Sequence, residues 1–440
     1  MGIFKPYDIR GVYPSEINEK VVYKIAKACA KYFEGGKVLV GGDGRLSTPS
    51  LKKAIIESLL EEGKEVYDLG IVSTSTFNFI VSTGKFDCGL QVTASHNPRE
   101  FNGIKLYDNL GNSIGLGFGL EKIEEIYNTI KEEKKNGKGK YFDASEMKLM
   151  HKKFLEKFLE DFDQKICIDY SNGCGSIVFS DVIEGKIKAI ELNKKIDGNF
   201  PAHQPEPTEE NLKELSKKVK ENNCVLGVAF DGDADRIVFL DENGNLIKGD
   251  RALFLFSKFL KPKKVIYEVS FPPLFKKILK KLGVNGIESK VGRSYIINGM
   301  REENADIGGE ISSHFYFKST NFMEDAFYAF VLMLRILKNE NKKISELIKE
   351  YPEFPNESFK INVPEEKKYL LVEKLKEEIS KEFETITIDG IKVILSEKDW
   401  FLIRASNTEP AIRIYIEGET KEKLNENKKL VESFVKKIMQ

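Results

Sequence analysis

Cysteine, histidine and tryptophan are all scarce in this chain of 440 residues, at five, four and one. The cysteines (Cys29, Cys88, Cys167, Cys174 and Cys224) are odd in number and form no CxxC pair. That argues against a disulfide framework or a thiolate metal site, so they read as reduced, mostly buried thiols. A surplus of one charge is also missing, since 69 Lys and Arg balance 69 Asp and Glu. Such a balance offers no general attraction to nucleic acid or an anionic membrane, and it points to small-molecule partners. No long hydrophobic run occurs, and the longest, residues 326–334, is half of what a membrane-spanning helix needs. The segment Met1 to Pro6 lacks an apolar signal core and the Ser/Thr that myristoylation requires. Together these absences predict a cytoplasmic protein. Two glycine-rich stretches lack the rest of a nucleotide motif. Gly41-Gly42-Asp43-Gly44-Arg45 has no following Lys-Ser/Thr, and 115–119 has neither the third glycine's spacing nor a buried strand before it. Both read as turns, with Arg45 placed to support an active-site loop.

The length is more than one ordinary core can use and implies about two to four domains. Three segments share one pattern of apolar strand, small-residue turn and amphipathic helix: 38–40 into 51–62, 166–170 into 177–183, and 265–269 into 274–282. Each reads as the opening of an α/β unit, one per domain. A lysine-rich stretch at 131–140 and a helix starting near Ser145 mark a first boundary, and 248–250 a second. The prolines Pro352, Pro355 and Pro364 make 351–364 read as a linker. A helix (365–382), strands between 385 and 416 and a last helix (421–439) then form a small α+β domain.

Four loops carry chemistry. Asp231-Gly232-Asp233-Ala234-Asp235-Arg236 lies between the apolar runs 225–230 and 237–240. Three carboxylates so close repel one another unless a cation sits among them, and oxygen ligands suit a hard divalent ion, magnesium above all. The same spacing resembles a calcium loop, but Arg236 stands where that loop needs glycine. Thr93-Ala94-Ser95-His96-Asn97-Pro98 follows the apolar strand 88–92. Adjacent residues rarely pair as nucleophile and base, and no G-x-S-x-G elbow is present, so a phosphoryl-carrying serine fits better than a hydrolase triad, and taken alone the loop reads equally well as a turn capped by Ser95 and Asn97. In Arg404-Ala405-Ser406-Asn407-Thr408-Glu409-Pro410 a guanidinium, two hydroxyls and an amide make a cradle for a phosphate dianion, with Arg413 as a second fork. Glu310, Ser312 and His314 alternate, so an extended loop would point them one way, as a grip on sugar hydroxyls requires.

These four motifs, in this order and over the whole chain from Tyr7-Asp8-Ile9-Arg10-Gly11 to Arg404–Pro410, resemble the α-D-phosphohexomutase family, specifically its phosphomannomutase/phosphoglucomutase branch. The resemblance implies four domains around a central cleft. Three are related α/β domains with mixed sheets (1–145 with the phosphoserine loop, 146–249 with the metal loop, 250–355 with the sugar loop), and the fourth is a smaller α+β domain (356–440) with the phosphate loop. It further implies a phosphohexomutase that interconverts hexose 1- and 6-phosphates of mannose and/or glucose. Phosphorylated Ser95 would act through a hexose 1,6-bisphosphate, which also serves as activator. Mg2+ would be held by Asp231, Asp233, Asp235 and Ser95. Arg10, His96 and Lys105 would stand near the reacting hydroxyl, with Lys105 as base and His314 a further candidate for proton transfer, and Tyr7, Arg236, Arg293, Glu310, Ser312, His314, Arg404, Ser406, Asn407, Thr408 and Arg413 would bind substrate. Three departures from the resembled family bear on the sugar, and two of them are Ser313 where it usually has glycine and Ser270 where some members carry a basic residue. Arg293, where some have histidine, is a third. The alternatives are a phosphoglucosamine mutase, a magnesium-dependent phosphatase with an aspartate nucleophile, and a non-catalytic sugar-phosphate binder.

Overall fold

Apolar runs become buried strands, and the loops that follow them carry the polar motifs. The structure, a computed structural model, describes residues 2–131, 137–406 and 409–439. It comprises two units, Gly2–Ala252 with Ser312–Leu347, and Leu253–Ile311 with Ile348–Gln440.

The first unit contains two mixed sheets. One is ordered Ile9–Val12, Phe101–Asp108, Cys88–Val92, Lys37–Gly42, Glu65–Ile71, Lys140–Asp143. Its first two pairings are antiparallel and the remaining three parallel. Cys88–Val92 is buried at every residue, as a strand covered on both faces must be. The second sheet runs Leu246–Ile247, Ile237–Leu240, Leu226–Phe230, Phe162–Asp169, Ile187–Leu192, again with two antiparallel and two parallel pairings. Capping side chains set the helix starts: Asn18 accepts from Val21 N before Glu19–Tyr32, and Asp325 accepts from Phe327 N and Tyr328 N before Ala326–Glu340. That last helix holds the longest apolar run. All of residues 326–334 are buried, so it is a core helix. No helix of the described residues is long and apolar enough to cross a membrane.

In the second unit Asn285–Ser289, Lys264–Glu268 and Ile307–Gly309 lie parallel in that order. A second sheet, Asn356–Asn362, Ala411–Glu417, Trp400–Ala405, Ile391–Ile394, Thr385–Ile386, is antiparallel throughout. Its apolar face packs under the helices Lys368–Ile379 and Lys421–Met439. The two sheets meet around Val269, Trp400 and Leu402. There Lys392, with no exposed surface, donates to the carbonyls of Val269 (2.9 Å) and Phe271 (2.8 Å) and to Glu288 Oε1 (3.1 Å).

Two expectations need correction. Part of the supposed linker 351–364 is the strand Asn356–Asn362, whose burial alternates along its length as in an edge strand with one face covered. Its prolines bound the strand instead of interrupting it. The helix expected over 177–183 shrinks to Phe179–Ile183, because Val178 takes a positive φ of 70° that no helix continues through. All five cysteines are buried and free.

Candidate active site

Ser95 and the three aspartates follow strands Cys88–Val92 and Leu226–Phe230, at the carboxyl ends where α/β sheets place ligands. Ser95 takes a left-handed φ of 51°, and its carbonyl is held by Arg45. That arginine is 1% exposed and spends its guanidinium on the loop: Nη2 donates to the carbonyls of Ser95 (2.8 Å) and Asn97 (2.6 Å), and Nη1 to those of Pro98 (2.8 Å) and Phe101 (3.1 Å). Asp43 anchors its Nε at 3.1 Å. So aimed, Ser95 Oγ donates to Asp231 Oδ2 at 2.8 Å. The left-handed turn also brings His96 Nδ1 to 3.2 Å from Ser95 Oγ, so these neighbours do touch, contrary to the expectation for adjacent residues. Burial, with Arg236 and Arg10 nearby, holds the imidazole well below its ordinary pKa, and it is neutral at physiological pH.

Asp231, Asp233 and Asp235 are all buried, and one ligand oxygen from each lies within 4.8 Å of the others. Burial and the charges of Asp235 and Asp233 push the Asp231 carboxyl far above the usual range. Lys105 Nζ reaches Asp233 Oδ2 (2.7 Å) and Asp235 Oδ2 (2.5 Å). His314 Nε2 meets Asp235 Oδ1 at 3.2 Å, and its Nδ1 meets Ser312 Oγ at 2.9 Å, so Ser312 and His314 share one side of their loop. Asp233 Oδ1 is buried without a hydrogen-bond partner. An anionic oxygen in that state is costly unless a cation takes it, and the all-oxygen donor set fits a hard divalent metal. The loop leaves no room for side chains at its turn: a Cβ on Gly232 would stand 2.6 Å from the Ser95 carbonyl oxygen.

Arg10, on the edge strand Ile9–Val12, donates to Asn97 Oδ1 at 2.7 Å and pairs with Asp8. Arg236 N donates to Asp231 Oδ1 at 3.2 Å. Tyr7 precedes that edge strand and is half-buried. Ser313 takes a φ of 67°, the region where glycine is least strained.

In the other unit Arg404 is buried at the end of Trp400–Ala405. Ser406 Oγ accepts from Arg413 Nε at 3.4 Å, and Arg413 Nη2 also donates to Glu409 Oε2 at 3.1 Å. Lys368, fully buried and missed in the sequence, ties the loop down by donating to the Ser406 carbonyl at 2.6 Å. Asn407 and Thr408 lie outside the described residues. Glu310 is buried after Ile307–Gly309, and Arg293 begins the helix Arg293–Glu303. Glu268, also missed, is pushed up to about 8 by burial and the neighbouring Glu310 charge, against the pull of Arg404. A carboxylate ending an apolar strand was its signal. Thr74, which contacts Asp233, had no signal, because a helix start looks alike with or without such a contact, while Thr93, which also contacts it, stood within the Ser95 loop without an assigned role.

Four family descriptions match in chain order: phosphoglucomutase/phosphomannomutase α/β/α domain I (residues 1–135), domain II (141–244), domain III (248–354) and the C-terminal domain (359–433). A phosphomannomutase of Methanocaldococcus jannaschii is 36% identical, with 99% of this chain and 98% of the relative covered. A probable phosphoglucosamine mutase of Methanopyrus kandleri is 32% identical over 95% of this chain and 94% of its own. The crystal structure of a phosphoglucomutase/phosphomannomutase family protein from Burkholderia thailandensis superposes with a TM-score of 0.90 at 28% identity, covering 99% of this chain and 97% of that one. With all four domains present in order and a relative this similar over nearly its full length, the chain belongs to the phosphoglucomutase/phosphomannomutase family and is an enzyme with hexose phosphate mutase activity.

Proposed function

We propose that this enzyme interconverts the 1- and 6-phosphates of mannose and/or glucose through a phosphoserine at Ser95. The observation that carries the reading is the hydrogen bond from Ser95 Oγ to Asp231 Oδ2, 2.8 Å, which aims a buried hydroxyl at a three-carboxylate cluster. A phosphatase using Asp231 as nucleophile has no need of that serine, and a pure binding protein needs neither.

The phosphoryl group of phospho-Ser95 passes to the free hydroxyl of a bound hexose monophosphate. The P–O bond to Ser95 breaks, a P–O bond to the sugar oxygen forms, and a hexose 1,6-bisphosphate results. Return of its other phosphate to Ser95 leaves the isomeric monophosphate. The hydroxyl proton enters the Lys105–Asp233–Asp235 network, where a lysine bridging two carboxylates passes one proton on as it accepts another, and the departing Ser95 oxygen takes up one proton to become a hydroxyl, so the exchange is proton-neutral. Neutral His96 and charged Arg10 flank Ser95 and hold the phosphoryl oxygens. Asp231, Asp233, Asp235 and a phosphoserine oxygen would hold Mg2+, which would supply charge neutralisation at the transferring group.

Arg404, Ser406, Asn407, Thr408 and Arg413 take the non-reacting phosphate. Donors without sugar contacts serve both orientations of the intermediate equally. Glu310, Ser312 and His314 bind hydroxyls common to both orientations, and Tyr7, Arg236 and Arg293 complete the substrate contacts. The loops sit on domains bounded at 1–145, 146–249, 250–355 and 356–440. The protein is cytoplasmic, and its partners are hexose phosphates. Similarity to the Methanopyrus kandleri relative supports the alternative reading, a phosphoglucosamine mutase.

The test is phosphorus NMR with Mg2+ and a trace of hexose 1,6-bisphosphate, offering mannose, glucose and glucosamine 1-phosphates separately. The matching 6-phosphate should appear, and Ser95→Ala should abolish it. Inorganic phosphate instead, unaffected by that substitution, would favour the phosphatase.

A further inference from the structure

The phosphoryl-transfer scheme makes no use of four consecutive hydroxyl residues, Ser73, Thr74, Ser75 and Thr76, at the start of the helix Thr74–Thr83, all with no exposed surface. Buried hydroxyls need partners. Ser73 caps its own helix, accepting from Thr76 N at 3.3 Å. The other three reach outward. Thr76 Oγ1 meets His151 Nδ1 at 3.0 Å, and His151 Nε2 meets Asp325 Oδ2 at 2.8 Å. Ser75 Oγ donates to the Ala234 carbonyl at 2.7 Å and accepts from Ala326 N at 3.0 Å. Thr74 grips Asp233 twice: its N–H donates to the Asp233 carbonyl at 2.7 Å, and its Oγ1 to Asp233 Oδ2 at 2.6 Å.

Asp233 Oδ2 also accepts from Thr93 Oγ1 at 3.0 Å and from Lys105 Nζ at 2.7 Å. Three donors saturate that oxygen, while Oδ1 of the same carboxylate is buried with no partner. Thr74 Oγ1 lies 3.0 Å from the Gln91 side chain as well, and the Gln91 amide nitrogen has no partner of its own. One hydroxyl proton serves one acceptor, and the nearer, charged Asp233 takes it. Gln91 with its amide turned to present nitrogen then donates to Thr74, polarising the hydroxyl toward the carboxylate.

A carboxylate held on one oxygen and bare on the other cannot swing about its Cβ–Cγ bond to offer both. We propose that Thr74 is a positioning residue for the cation site: with Thr93 and Lys105 it restricts Asp233 to one ligand oxygen. That restriction favours the small, octahedral Mg2+ over Ca2+, which readily takes bidentate carboxylates. The inference rests on the reading that the three aspartates hold a divalent cation.

The test is cation binding by the metal-free full-length chain, followed by Mn2+ electron paramagnetic resonance and by competition of Mg2+ and Ca2+ against Mn2+. Thr74→Val keeps the shape and removes the hydroxyl, and Thr74→Ser restores it. Outer hydrogen-bond partners of metal ligands are worth about 10–100-fold in affinity. Thr74→Val should therefore weaken Mg2+ at least about tenfold and leave Ca2+ within about twofold, so that the preference collapses, while Thr74→Ser stays near the parent. Thr93→Val removes another donor from the same oxygen and should act in the same direction, which keeps the test available should Thr74→Val fold poorly. Equal loss for both ions, or no loss, in the folded variants would overturn the role of Thr74. Asp231→Asn separates the two levels. If it abolishes cation binding while the threonine variants leave the preference intact, only this inference fails; if it leaves binding intact, the cation site itself is refuted.

Discussion

Arg45 is the residue on which the Ser95 loop depends most visibly. Its guanidinium donates to four backbone carbonyls of residues 95–101 while its Nε holds Asp43, and no solvent competes for these bonds. A lysine carries the charge but not the planar fork, so Arg45→Lys leaves several buried carbonyls unpaired. We expect it to cost about 2–4 kcal/mol of stability by thermal unfolding and to lower kcat at least about tenfold, since Ser95 loses its aim. A parent-like melting curve would refute the role. The sequence made Arg45 legible as support for a neighbouring loop, because a glycine-rich turn after a strand has few other uses for a guanidinium. The Ser95–His96 contact was illegible: it depends on one backbone torsion at Ser95, and torsions of single non-glycine residues leave no mark in composition.

At the scale of elements, the aspartate loop 231–236 is braced by the turn after Phe162–Asp169. Ser171 Oγ donates to the Phe230 carbonyl at 2.6 Å, and Cys174 N to the Gly232 carbonyl at 3.0 Å. Asp169 organises that turn, accepting from Ser171 N (2.8 Å) and Asn193 Nδ2 (3.0 Å), with His203 Nε2 at 3.2 Å. Burial raises the Asp169 carboxyl, but these partners outweigh it and hold it below its ordinary range. Burial lowers the His203 imidazole, but the bonds to Asp169 and the Gln204 carbonyl outweigh that and hold it above. A lowered acid stabilises above its unfolded pKa, and a raised base stabilises below its own, so the pair contributes fully between about pH 4 and pH 6.5. His203→Gln should therefore lower the melting temperature most near pH 5–6 and progressively less as pH rises past the folded histidine pKa. A pH-independent difference would contradict it. Element positions were readable where burial is two-sided, as in Cys88–Val92. They failed at Asn356–Asn362, where prolines at the ends drew attention from an alternation only an edge strand needs.

For the whole molecule, zero net charge removes long-range self-repulsion, which leaves the aspartate cluster as a concentrated electrostatic cost. Asp231→Asn removes the carboxyl whose ionisation burial and the Asp235 and Asp233 charges oppose, so without divalent cations the variant should unfold at a higher temperature than the parent. Saturating Mg2+ should reverse the order. Binding to the folded state alone adds about 2.7 kcal/mol at a hundredfold excess over Kd, and the variant forfeits that gain. Melting curves with and without Mg2+ decide, and a variant stabilised by the ion as much as the parent would sink the idea.

What the sequence determined by itself is the set of loops, their order and their chemistry. Strand-loop-helix periodicity and carboxylate spacing are local properties, and local properties are written in consecutive residues. Only the tertiary structure decided which atoms meet. Thr74 and Asp233 lie 159 residues apart, and Lys368 and Ser406 lie 38 apart. Which buried hydroxyl or ammonium satisfies which carboxylate or carbonyl follows from packing whole elements together, and neither residue of such a pair reveals its partner alone.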